Sequence, residues 1–138
     1  MAAEIGARIQ VIRGQRVLLD SDLAALYGVT TKRFNEQVRR NEQRFPADFL
    51  LRLTESETAY LRSQNATLKP GRGQHRKYLP TAFTEHGAIM AATILNTPRA
   101  VEMSVYVVRA FVKLRELLSS QAELARKLAL LEKSVATL

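Results

Sequence analysis

The sequence predicts an α+β fold: a helix-turn-helix with small β-hairpins and a wing-like loop, and a long C-terminal helix forming a coiled-coil stem. Three observations carry this expectation. Residues Asp20–Phe45 read as helix, tight turn, helix; short β-prone runs flank them on both sides; and an apolar stripe at heptad spacing runs from Ala100 to Leu138. The elements follow in chain order, with expected boundaries at 1–7 (a loose N-terminus), 8–116 (the main folded domain) and 117–138 (a coiled-coil dimerisation helix).

Residues 1–7 carry no strong pattern. Ile9, Val11 and Ile12, then Arg13-Gly14-Gln15, then Val17, Leu18 and Leu19 suggest two short strands around a glycine turn. A first helix follows, with Leu23, Leu26 and Tyr27 as its apolar stripe and Asp20 or Ser21 available to cap its free N–H groups. Gly28 stands where a helix end takes the left-handed conformation. Thr30 is a good N-cap for the next helix, Val29 and Phe34 form a hydrophobic staple around it, and Ala24 is small where two helices must cross.

The second helix is expected to run until Pro46 stops it. Phe34, Val38 and Phe45 share its inner side. The opposite side carries Lys32, Glu36, Arg39, Arg40 and Gln43, flanked by Arg33 and Arg44, with Asn35 and Gln37 at the edges and Thr31 at the start. Long cationic and amide side chains there suit a helix that touches phosphates and base edges in a major groove. A solvated face tied by Lys32–Glu36 and Glu36–Arg40 pairs is the other reading of the same residues.

Asp48–Leu53 is a short apolar run compatible with a strand. Thr54 and Glu57 form a capping box that starts a helix carrying Tyr60 and Leu61. Between 63 and 78, Pro70, Gly71 and Gly73 mark a loop tip loaded with Lys69, Arg72, Arg76 and Lys77 and no acid. Beside a helix-turn-helix it reads either as a wing that holds the DNA backbone or as an exposed loop charged for solubility. Tyr78–Thr84 is extended and ends in a Thr cap, and Glu85–Leu95 reads as a buried apolar helix.

Thr97 and Pro98 suit the cap and first position of a last helix. Ala100, Met103, Val107, Ala110, Leu114, Leu117, Gln121, Leu124, Leu128, Leu131, Val135 and Leu138 keep the heptad stripe. Val101, Val105, Val108, Phe111 and Val112 lie off it, so the first half is expected to be buried in the domain. From about Arg115 the helix looks like a stem, with Leu114, Leu117, Gln121, Leu124, Leu128, Leu131 and Val135 as dimerisation residues. Gln121 would set register, and Lys127 and Glu132 would pair between chains. The other reading is one long helix folding back on its own domain.

Bulk properties narrow the partner. The 138 residues carry a net charge of +8, which favours a polyanion. Residues 1–80 hold fourteen Lys and Arg against eight Asp and Glu, and residues 81–138 seven against five, so the surplus sits with the helix-turn-helix half. There is no cysteine, which excludes disulfides and thiolate metal sites. His75 and His86 stand apart from each other and there is no cysteine to join them, so no metal site is expected. No apolar run is long enough to cross a bilayer, and a cytoplasmic protein without a signal peptide or membrane contact is expected. Asp20 and Asp22 are a close acidic pair that a helix start explains, so no catalytic residue and no cofactor are expected.

The runs VIRGQRVLLDSDLAALYGVTTKRFNEQVRRNEQRFPADFLLRLTESE, LRSQ, YLPTAFTEHGAIMAATILN and VVRAFVKLRE together resemble the KilA-N superfamily. More closely they are similar to the phage open-reading-frame-six N-terminal domain of prophage antirepressor-like proteins, over about residues 9–116. The resemblance implies a DNA-binding domain in a transcriptional-control setting. It matches Asp20, Leu23, Ala24, Leu26, Tyr27 and Gly28 to the family's first helix and turn. Thr31, Lys32, Arg33, Asn35, Gln37 and Arg40 match the second helix, and Arg76, Tyr78, Leu79, Pro80, Phe83, Thr84, Glu85 and Gly87 a later block. Lys77, Thr81 and His86 stand where Arg, Tyr and Gln are common. The expected function is a dimeric, sequence-specific regulator on double-stranded DNA. An antirepressor that binds another regulatory protein is the alternative.

Overall fold

The structure, a computed structural model, describes residues 1–64 and 79–137. Its order is α1 (Ala2–Gly6), β1 (Gln10–Ile12), β2 (Gln15–Leu19), α2 (Asp20–Tyr27), α3 (Thr31–Arg40), β3 (Leu50–Arg52), α4 (Glu55–Gln64), β4 (Thr81–Phe83), α5 (Glu85–Leu95) and α6 (Pro98–Thr137). It is an α+β arrangement. The strands form one antiparallel sheet in the order β1-β2-β4-β3, with Leu18 opposite Phe83, and Phe83 in turn opposite Leu50.

Alternation along the strands sends side chains to two cores. Leu18 and Phe83 join the helices in a larger core that includes Tyr27, Phe34, Ala88, Val107 and Phe111. Val17, Leu19, Leu51 and Ala82 point the other way and pack with Leu61 of α4. The β1–β2 turn uses Arg13 at φ 53° and Gly14 at φ 77°, the positive dihedrals that a tight two-residue hairpin requires. The capping box closes on both sides: Glu57 N–H donates to Thr54 Oγ1 at 3.1 Å and Thr54 N–H to Glu57 Oε1 at 2.9 Å.

Four expectations change. Residues 1–7 are not a loose start: α1 packs on α6 and drives Ile5 to 1% exposure in the main core. Asp20 is the first residue of α2 and not its N-cap, a position Leu19 holds; its carboxylate still accepts the first-turn Ser21 N–H at 2.7 Å, as expected, and also turns inward to Asn35. The second helix ends at Arg40: Asn41, at φ −119° and ψ 32°, leaves the helical dihedrals, and its backbone N–H and its side-chain Nδ2 both donate to the Gln37 carbonyl. A 3-10 turn over Glu42–Arg44 then swings Phe45 edge-on against Phe83, centroids 5.9 Å apart, so it is buried without being helical. On α6, Val101 and Val105 face outward, while Phe111 is buried. The wing reading of Lys69, Arg72, Arg76 and Lys77 falls outside the described residues, as does Leu138.

Candidate nucleic-acid interface

The pairing of α2 and α3 begins with backbone chemistry. Gly28 ends α2 at φ 77°, ψ 29°, and the N–H of Val29 returns to the Ala24 carbonyl at 3.0 Å. Thr30 Oγ1 accepts from the Arg33 N–H at 3.1 Å and starts α3. From α6, Arg99 Nε donates to the Leu26 carbonyl at 3.1 Å, and its side chain lies over Gly28. The connection between the two helices is thus braced from outside as well as within.

The inner side of α3 is held firmly. Phe34 is fully buried, 6.5 Å from the Tyr27 ring and edge-on to Phe83 at 5.2 Å. Tyr27 donates to the Ala88 carbonyl at 2.9 Å, and burial pushes its phenol pKa far up. Asp20, 1% exposed, accepts from Asn35 Nδ2 at 2.9 Å and from the Thr81 N–H at 3.3 Å. One carboxylate therefore ties α2, α3 and β4 together.

Locking one side presents the other. Lys32, Arg33, Arg39 and Arg40 are exposed, and Thr31, Glu36 and Gln37 are half-buried along the rim. Arg44 and Gln43 are exposed too, but on the 3-10 turn rather than on α3. Among the described residues the ion pairs join Arg8 to Asp22, Arg13 to Glu57 and Arg115 to Glu85, and none involves α3. The Lys32–Glu36 and Glu36–Arg40 pairs do not form, so the cations of this face are not neutralised within it. Asn35 differs from the expectation: its amide is engaged with Asp20, which makes it a support for α3 as well as a rim residue.

Elsewhere cations are engaged. Arg13 reaches Glu57 through two hydrogen bonds, at 2.8 and 2.7 Å, and the Arg52 carbonyl at 2.9 Å. The Arg13 guanidinium and the Thr54 N–H hold the Glu57 carboxyl down at about 2. Asp22 goes the opposite way, raised by burial against the pull of Arg8. Among the described residues no three His, Asp or Glu side chains gather as a metal site would need.

Sequence reasoning missed one residue of this face. Arg52 lines an open cleft of about 210 Å³ together with Arg39, Asn35, Leu50 and Thr81. It lay hidden in the apolar run of β3. The period of two was the available signal, since Leu51 and Leu53 turn to the α4 core and Leu50 and Arg52 therefore turn toward α3.

The residues assigned to self-association lie along α6. Leu114 is half-buried; Leu117, Leu124, Leu128, Leu131 and Val135 are 51, 58, 51, 62 and 70% exposed, and Gln121 is exposed among them. Among the described residues no helix is long and apolar enough to cross a membrane. A family model for the ORF6N domain matches residues 7–94. No curated protein and no solved structure matches the chain.

Proposed function

The chain belongs to the ORF6N family, and from that membership we propose that it is a sequence-reading, DNA-binding regulator of the phage or prophage type, acting as a dimer. In this reading α2 and α3 are a helix-turn-helix, and α3 enters the major groove of double-stranded DNA. One observation carries it: a helix fixed on its inner side by Phe34 presents Lys32, Arg33, Arg39 and Arg40 outward with no described ion pair to neutralise them. Thr31, Glu36 and Gln37 supply polar groups for base edges along the rim. The 115–137 half of α6 would bring two copies together, setting two recognition helices on two half-sites. No catalytic step belongs to this proposal.

The test is selection of bound sequences from a random duplex pool at about 150 mM salt, where weak phosphate attraction is largely lost. An enriched inverted repeat, its half-sites about one helical turn apart, is the expected result. Enrichment of no motif, with binding that disappears as salt rises, would overturn sequence reading. An antirepressor that binds another regulator through the same surface would then be the better account.

A further inference from the structure

The cationic face of α3 continues onto the sheet. Among the described residues β3 is an edge strand, and the cleft between it and the C-terminal half of α3 is lined by two arginines from different elements, Arg39 and Arg52. Neither side chain has an ion-pair or hydrogen-bond partner among the described residues, although Arg52's own carbonyl accepts from Arg13. Asp20 lies behind the cleft wall with its oxygens turned to Ser21, Asn35 and Thr81. Two cations sharing one open recess without a counter-ion repel one another, and an anion between them removes that cost. Guanidinium groups suit a phosphate especially well, because their planar N–H pairs match its oxygens.

We propose that Arg39 and Arg52 clamp one backbone phosphate of the duplex beside the groove that α3 enters. The inference rests on the DNA reading and deepens it, since the clamp carries no sequence information. Its work is positional. Arg52 stands on a strand whose register against β4 is set by Leu51 opposite Ala82, so it moves with the sheet and not with α3. A phosphate held between the two elements fixes how far and at what angle α3 enters the groove. Arg40, on the exposed face beyond the cleft, is left free for base edges.

The experiment measures binding of the full chain to a short labelled duplex of mixed sequence over a series of salt concentrations. Arg52→Ala and Arg39→Ala should each weaken binding about tenfold, as loss of a charge-assisted contact does. The double variant should lower the steepness of log affinity against log salt by about 0.9, the loss of one phosphate, and each single variant by no more than that, with the order of preferred sequences unchanged. Arg52→Lys should keep the slope. Arg52 is exposed on an edge strand, and an unchanged far-ultraviolet spectrum confirms that its variants fold.

If the wild type binds duplex and both alanine variants match its affinity and slope, the clamp is wrong and the DNA reading stands. If the wild type binds no duplex, both fall together. Inorganic phosphate at matched ionic strength separates the remaining source. An Arg52 Nε–H resonance that moves with phosphate and not with duplex would mean a free anion occupies the cleft, which overturns the backbone assignment.

Discussion

The two halves of α6 share one helix and one heptad stripe yet lie in opposite surroundings. In the first half Ala100, Met103, Val107 and Ala110 are 0–3% exposed; in the second, Leu117, Leu124, Leu128, Leu131 and Val135 are 51–70% exposed. Residue size accounts for much of the contrast. Two of the four buried stripe positions are alanines, and α5, which packs along α6, brings Ala88, Ala91 and Ala92 to the same core. The exposed half is built mainly of leucines, whose branched ends need deep holes and find none among the described residues. A heptad stripe therefore states which face of a helix is apolar. What covers that face depends on what the rest of the chain brings to it.

Because all four Tyr and all five Phe precede Arg115, near-ultraviolet circular dichroism reports on the body alone and can test this contrast half by half. The largest effect should come from Phe111→Ala, which empties a site 2% exposed. We expect a loss of about 3–5 kcal/mol in urea unfolding. A variant as stable as the parent would break the division between the halves. Gly87→Ala should come next. A Cβ there would stand 2.0 Å from the Phe49 carbonyl oxygen, so α5 must shift from the sheet that supports it. A loss of about 1–3 kcal/mol in the same unfolding measurement is expected.

A smaller effect belongs to the Arg13–Glu57 clamp. Its carboxyl titrates at about 2 in the folded chain, below the unfolded value of about 4.3. The contribution is therefore complete above the unfolded value and fades as pH falls through the folded one. Glu57→Gln should flatten stability against pH between about 4 and about 2. At neutral pH the cost should be about 0.5–1 kcal/mol, because the pair is open to solvent. A pH profile identical to the parent's would remove this residue from the body's polar supports.

The smallest effect on the body should be that of Leu128→Glu, below about 0.5 kcal/mol by the tyrosine signal. On the proposed stem the parent should sediment as a dimer and this variant as a monomer. A body destabilised by several kcal/mol would instead mean that the second half of α6 folds back onto its own domain. These two outcomes separate the stem from its alternative.

Much of the candidate interface was legible because it depends on local rules. Gly28 and Thr30 announce their dihedral and capping roles, and the spacing of Phe34 and Val38 orients α3 before any tertiary contact is known. Asn35 was legible only as a polar rim residue. Its bond to Asp20 joins positions 15 apart, and the third member, Thr81, comes from 61 residues away. Arg52 was obscured for a similar reason. A lone cation in an apolar strand has no address until the pairing of β3 with β4 sets it beside α3.

By itself the sequence determined the α+β class, the order of the elements from β1 onward, the β1–β2 turn, the caps at Thr30, Thr54 and Thr84, and the apolar face of each long helix. Those features arise from dihedral preferences, short-range hydrogen bonds and periodicity, which act within a few residues. Only the tertiary structure decided that Ile5 belongs to the core, that α3 stops at Arg40, that Asp20 turns inward, and that Arg39 and Arg52 share a cleft. Each of these depends on which distant segments meet. Burial and pairing between such segments outweigh local propensity by the free energy of removing a whole side chain from water.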